Sequence, residues 1–524
     1  MKEKLKLHLT NPEKQLGLKR MSSKLAEKIS TAVKNIVNLY REDELPWIIG
    51  YSGGKDSTTV LQIVWRAVET IPIEERTKKI FVISTDTLVE NPVVAEWVKL
   101  SLAKINFASK KAKMNIEAHR LTPKLEDRFW VNLIGKGYPA PRPKFRWCTS
   151  RLKINASTDF VRNIATETGE AILFLGTRSG ESQARKKVME RHEGSTRELL
   201  SRNGDARLDR VWIFPPIADW SSDDVWEYLI ENENAWGHSN MELFHLYKGA
   251  TPDAECPLVV DSTTPSCGDS RFGCYVCTMV DKDKSMMAMI QNDEDKKWMI
   301  PLAQLRENKL STSGDFENRD FRRMDRTISV YQKKDGPGLI HGPYKQNYRE
   351  DLLLELLKAQ TQIRKDAPHG LENFELISIE ELEEIRRIWV DEKHEIEDSV
   401  PKIYKLATGK KYPAIDSDEK PLFTKEDLDI LKELAASEDD PDGIHYQMLR
   451  EMLHTEQNYR GAYRRHGIFE SLEKTLKQHA FTNAAEALQF KLNHTDQVYT
   501  YSENSIEDEL NDLADDESKN ENSK

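Results

Sequence analysis

Short apolar runs alternate with segments of helical periodicity over the first half of the chain. Trp47-Ile-Ile-Gly-Tyr-Ser52 is an apolar run that ends in glycines, as a buried strand does. From Lys55 to about Thr70 the apolar positions Val60, Leu61, Ile63, Val64 and Val68 fall on one helical face. Ile80–Thr85 and Ile116–Leu121 read as the second and third strands, and Pro92 opens a helix through Ile105 at the position that tolerates proline best. A helix near Thr158–Thr168 precedes a fourth strand at Ala171–Thr177, and Val211–Phe214 reads as a fifth. Ser221-Ser-Asp-Asp224 has the spacing of a capping box opening a helix over Val225–Glu231. Strands alternating with helices predict an α/β fold, with a parallel sheet covered by helices on both faces.

Residues 1–45 read as a charged helical lead-in, and the α/β domain is expected over 46–290. Residues 291–349 form a basic connecting segment, in which Lys333-Lys-Asp-Gly-Pro-Gly338 is turn chemistry and a candidate boundary. Helical periodicity returns over 350–501, for example at Leu352, Leu353, Leu356 and Leu357, with no repeat of fixed period. Residues 502–524 hold nine acids against two lysines and read as a solvated, disordered tail.

Composition narrows the function classes. The chain has 524 residues, 38% hydrophobic and 31% charged, enough for a sizeable core and more than one domain. It shows no apolar leader and no run long enough to span a bilayer, so a cytoplasmic protein is expected, without a membrane partner. A net charge of −11 does not advertise a nucleic-acid binder, so any such surface must be local. Residues 319–349 supply one candidate: eight Lys or Arg against three Asp, interleaved with Phe321, Tyr331, Tyr344 and Tyr348. A second is Tyr459-Arg460 with Tyr463-Arg-Arg-His466. Both are also what a solvated charged face looks like.

Ser52-Gly-Gly-Lys-Asp-Ser57 follows a strand and opens a helix. Gly53 and Gly54 let the backbone approach a phosphate, the helix N-terminus adds orphan donors, Lys55 adds a point charge, and Ser52 and Ser57 add hydroxyls. The loop is not of the Walker type, because Asp56 follows the lysine and Ile49 stands where that motif needs its first glycine. SGGKDS resembles the PP-loop of enzymes that split ATP between the α and β phosphates, which implies ATP and Mg²⁺ as ligands. Asp86, just after the second strand, is placed either to contact nucleotide or metal or to cap the next segment.

Three further segments resemble the phosphoadenosine-phosphosulfate reductase family: Arg146-Trp-Cys-Thr-Ser-Arg-Leu-Lys153, Gly176-Thr-Arg-Ser-Gly-Glu-Ser182 with Arg185, and Pro216-Ile-Ala-Asp-Trp220 with Asp224-Val-Trp226. The resemblance covers roughly 45–280 and implies that Gly176, Arg178 and Arg185 surround the nucleotide. Arg146, Arg151 and Lys153 add charge for polyanionic substrate and departing pyrophosphate, a task that suits the planar guanidinium fork. The chain departs from the reductases in length and in lacking a tandem cysteine pair.

Of five cysteines, Cys256, Cys267, Cys274 and Cys277 fall within 22 positions. Such clustering in a reducing compartment points to metal. Four thiolates suit zinc or a [4Fe–4S] cluster, and the irregular spacing favours the cluster. Cys148 is either an alternative ligand, a buried thiol, or a reactive thiolate whose basic neighbours lower its pKa. With the PP-loop and the chain length, this set resembles the DndC family of DNA-phosphorothioation sulfurtransferases. That resemblance implies an iron–sulfur cluster, ATP pyrophosphatase activity, a DNA substrate, and a cysteine desulfurase and other Dnd-system proteins as partners. In that reading Lys55, Asp56, Cys148 and Arg178 carry the chemistry. The competing readings are a sulfonucleotide reductase, a tRNA thiolation enzyme and a non-catalytic ATP-dependent assembly subunit.

Overall fold

The structure is a computed structural model that describes residues 23–142, 145–178, 199–251, 272–333, 336–366, 368, 371–413, 425–436, 440–460 and 464–494. Arg185, Cys256, Cys267, Tyr463, the acidic tail and the first part of the lead-in lie outside them. The chain divides into two compact units. The first comprises Met1–Pro123, Arg151–Tyr275 and Asp283–Lys297, and the second Lys124–Ser150, Val276–Lys282 and Trp298–Lys524.

The first unit is built on a six-stranded sheet of β1 (Trp47–Gly50), β2 (Ile80–Thr85), β3 (Ile116–Leu121), β4 (Ala171–Phe174), β5 (Ser201–Arg202) and β6 (Val211–Phe214), in the order β3-β2-β1-β4-β6-β5. All pairings are parallel except β5 with β6. The apolar runs become strands because their side chains are covered on both faces. Trp47, Ile49, Val82, Ile172 and Phe174 join one core, and Ile48, Ile83, Ala171 and Val211 join the other. Helices α1 (Ser23–Glu42), α2 (Lys55–Glu69), α3 (Pro92–Lys111), α4 (Asn155–Thr168), α5 (Ser222–Glu231), α6 (Asn240–Gly249) and α7 (Lys284–Asn292) complete the unit. The expected capping box is present at Ser221 and Asp224.

The chain runs β1, β2, β3 outward in one direction and then returns to place β4 on the other side of β1. The carboxyl ends of β1 and β4 therefore flank a topological switch point, where open α/β sheets bind ligands.

The second unit is mainly helical: α8 (Ile300–Lys309), α9 (Gln346–Asp366), α10 (Ile379–Arg387), α11 (Val400–Thr408), α12 (Lys425–Ala435), α13 (Ile444–Arg460), α14 (Ile468–Gln478) and α15 (Ala484–His494). Strands β7 (Val330–Lys333) and β8 (Gly336–Leu339) pair antiparallel in a separate two-stranded sheet. Leu352, Leu353, Leu356 and Leu357 of α9 are all buried, as their periodicity predicts. The basic segment 319–349 is not an exposed stacking surface. Arg319, Arg322, Arg323, Arg349, Phe321 and Tyr344 are buried. Arg322 pairs with Asp320 through two nitrogens, Arg349 pairs with Glu395, and Arg319 donates to the Gly342 carbonyl. Local composition does not distinguish these internal crosslinks from a surface patch, because burial of the cations is decided by packing; of the partners named, Glu395 lies outside the segment.

Candidate active site

The loop between β1 and α2 is held open by several specific contacts. Gly53 has φ +72°, and a Cβ there would lie 2.5 Å from Val98 of α3. Only glycine meets both conditions. The Trp97 indole N–H donates to the Gly53 carbonyl at 3.1 Å. Ser57 Oγ accepts from Ser52 N at 3.2 Å and lies 3.1 Å from Ser52 Oγ, closing the loop across its base. Gly54 caps α2 with no side-chain hydrogen bond of its own, and a helix N-terminus is a favourable place for an anion.

Charge is concentrated on this terminus. Asp56 accepts from Arg178 Nε at 2.7 Å with one oxygen and meets Lys55 Nζ at 3.2 Å with the other. Arg178 is buried and also reaches the Trp220 carbonyl at 3.5 Å. One carboxylate thus holds two cations, so the trio keeps a net positive charge beside the positive end of α2. The loop after β4 comes close enough to do this because residue 176 is glycine. A Cβ there would lie 3.0 Å from the Asp56 carbonyl carbon and 3.1 Å from Ser57 N.

Tyr247 of α6 was invisible to the sequence reading. Its hydroxyl accepts from Lys55 N at 3.3 Å, and Lys55 Nζ lies 5.7 Å from its ring centroid. Trp226 and Phe272 pack edge-on against the ring, and burial raises the phenol pKa above its ordinary value. Trp97 was equally silent, as a single aromatic in a helical pattern. Its ring stacks on His238 at 3.5 Å, where burial, followed by the Lys104 charge, lowers the imidazole pKa to about 4.

Asp86 takes the capping role and also forms an ion pair. One oxygen accepts from Leu88 N at 2.8 Å, fixing a turn in which Leu88 has φ +64°, and the other accepts from Arg120 Nε at 2.8 Å. Nearby Glu90 is pushed up to about 7, mainly by burial and against the pull of Lys153, with Asp86 adding to the rise.

The described cysteines fall in different settings. Cys274 pairs by a backbone bridge with Glu90, and its Sγ lies 3.5 Å from Thr87 Oγ1, which brings it beside the carboxyl end of β2. In the second unit, the Cys277 carbonyl accepts from Arg306 Nε at 2.8 Å, and the same buried guanidinium holds the carbonyls of Val280 and Asp281. Cys148, also in the second unit, is half-buried and follows Trp147, whose indole donates to the Pro139 carbonyl at 3.0 Å. Arg146 is exposed there, whereas in the first unit Arg151 is buried and Lys153 exposed. Among the described residues no three His, Cys, Asp or Glu converge to hold a metal ion. Two of the four expected cluster thiols, Cys256 and Cys267, lie outside the described residues. Among the described residues no helix is long and apolar enough to cross a membrane.

Residues 46–279 match the phosphoadenosine phosphosulfate reductase domain. That stretch contains the whole six-stranded sheet and the SGGKDS loop, so the first unit is similar to that domain over its sheet and its candidate site. An uncharacterized protein of Methanocaldococcus jannaschii is 24% identical over 267 residues, covering 51% of this chain and 43% of the relative. The chain thus matches less than half the length of that relative. Among solved structures, Candida glabrata FMN adenylyltransferase with FAD and inorganic pyrophosphate is 12% identical. It covers 45% of this chain and 66% of its own, with a TM-score of 0.27. A second structure of Candida glabrata FMN adenylyltransferase is 11% identical and covers 45% of this chain and 64% of its own, with a TM-score of 0.26.

Proposed function

We propose that the first unit binds ATP at Ser52–Ser57 and splits it between the α and β phosphates, and that the chain uses the resulting adenylate to place sulfur on a DNA backbone phosphate. The observation that carries the ATP reading is the Lys55–Asp56–Arg178 trio at the N-terminus of α2, on the switch point of the sheet. Lys55 and Arg178 would neutralise charge that develops on the departing pyrophosphate, and the α2 amides would orient the phosphates. Mg²⁺, carried in with the nucleotide, would supply further charge neutralisation.

A non-bridging oxygen of the DNA phosphate attacks the α-phosphorus of ATP, the α–β bridge breaks, and pyrophosphate leaves. Adenylation solves a leaving-group problem, because that oxygen now departs with AMP. A persulfide on Cys148, loaded by a cysteine desulfurase, supplies the attacking sulfur. Two thiols of an external reductant then reduce the S–S bond of the P–S–S–Cys linkage and are oxidised to a disulfide, leaving sulfur on phosphorus and Cys148 as thiol. A [4Fe–4S] cluster on Cys256, Cys267, Cys274 and Cys277 would serve sulfur delivery. Support for the DNA and sulfur parts is the cysteine clustering and the family resemblance of the sequence.

The test is product analysis with labelled ATP. AMP and pyrophosphate are expected, and Lys55→Ala should lower the rate at least about 100-fold, the usual cost of removing a charge-stabilising group. ADP and orthophosphate as products would refute the reading. The domain match favours one alternative, a small sulfonucleotide substrate, and that reading predicts no ATP cleavage in the same assay.

A further inference from the structure

The second unit encloses a polar cavity of about 410 Å³, large enough for a nucleotide-sized ligand. Eight Lys or Arg and six Asp or Glu line it. Five of the eight cations have carboxylate partners: Arg322 with Asp320, Arg349 with Glu395, Arg450 with Glu397, Lys345 with Asp442 and Arg326 with Glu451. Lys393 does not. It lines the cavity, and its ammonium makes no hydrogen bond or ion pair with any described residue. Arg450 is buried, and its Nε has no hydrogen-bond partner.

Lys393 is half-buried at the cavity wall, and an ammonium there with no carboxylate partner is open to a counter-ion from solution. Burial, together with Arg349 and Arg326, lowers Lys393 to about 8, with Glu395 and Glu392 opposing. Arg326 is lowered to about 10 by burial and by Arg322 and Arg450, against the pull of Asp320. Eight cations against six acids leave the lining with an excess of positive charge. A multiply charged anion would satisfy Lys393 and the open Arg450 Nε together. Phosphate fits this donor set, since guanidinium groups bind it in pairs and a lysine binds it as a point charge.

We infer that this cavity is a second anion site, distinct from the PP-loop, that takes a phosphate-bearing ligand with Lys393 as its central cation. The phosphate arrives either on a free nucleotide or pyrophosphate, or on a nucleic-acid backbone. The two sources share the same contacts.

Calorimetry with the full chain tests the proposal, using inorganic pyrophosphate as one probe and a short DNA duplex as the other. The Lys55→Ala background removes the main cation of the PP-loop. Saturable binding of at least one probe should persist in Lys55→Ala, and adding Lys393→Met should weaken it at least ten-fold. Exposed Lys432, which also lines the cavity, gives a variant with little risk to folding, and Lys432→Gln should weaken the same binding several-fold. Pyrophosphate binding identifies a small-molecule site, and duplex binding alone identifies a backbone phosphate. No binding by the Lys55→Ala protein, or binding unchanged by both Lys393→Met and Lys432→Gln, overturns the inference.

Discussion

Asp56 shows how much of the site one side chain can organise. It links a cation from its own helix to one delivered 122 residues later, and so converts a sequence motif into a defined electrostatic feature. The loop itself was legible because SGGKDS is local: glycines, lysine and hydroxyls act where they stand. Tyr247 was not, since its contact with Lys55 spans 192 residues and no periodicity signals it. Cys148 separates sulfur chemistry from architecture. Cys148→Ser should retain pyrophosphate release, and its iron and sulfide content after anaerobic purification should equal that of the wild type. Phosphorothioate in DNA, measured by mass spectrometry, should fall to background. Loss of iron would make Cys148 a ligand, and retained sulfur incorporation would remove it from the transfer route.

Among the elements, β2, β3 and β6 have the bounds the apolar runs predict, and α2 departs by a single residue at its end. Runs buried on both faces leave little ambiguity. The two-residue strand β5 was missed because Ser201-Arg202 carries no apolar pattern; only pairing with β6 defines it. Helix α3 runs on to Lys111, beyond the expected Ile105, since no proline or glycine stops it. The capping box of α5 was readable, but its second role was not: Asp224 also accepts from Lys28 of α1 at 2.7 Å. The two variants should therefore differ. Ser221→Ala should cost about 1 kcal/mol, as loss of an N-cap does. Asp224→Ala removes the reciprocal cap and the partner of a half-buried lysine, so it should cost more. Denaturant midpoints of the two variants measure this, and equal losses would show that the Lys28 contact contributes nothing.

At the scale of the whole molecule, histidines that the fold holds neutral contribute to the acid response. Burial lowers His238 and His479 to about 4 and His394 to about 3. In each case the native pKa lies below the ordinary value near 6.5. As pH falls through that value the unfolded chain takes up protons that the native chain refuses, so stability declines. The loss continues until the native pKa is reached, at up to about 1.4 kcal/mol per pH unit for each group. His238 offers the clearest test in the first unit. It is buried, stacked on Trp97, and its Nδ1 has no hydrogen-bond partner. Phenylalanine can keep the stacking while removing the titration. His238→Phe should therefore gain stability relative to the wild type as pH falls from 7.5 to 5, read as a rising difference in melting temperature. The sign follows from the lowered pKa alone: a histidine stabilised in its charged form would make the variant relatively weaker in acid. A difference in melting temperature that is constant between the two pH values would show that His238 titrates in the folded protein much as it does in the unfolded chain, and that its burial exerts no hold on its proton.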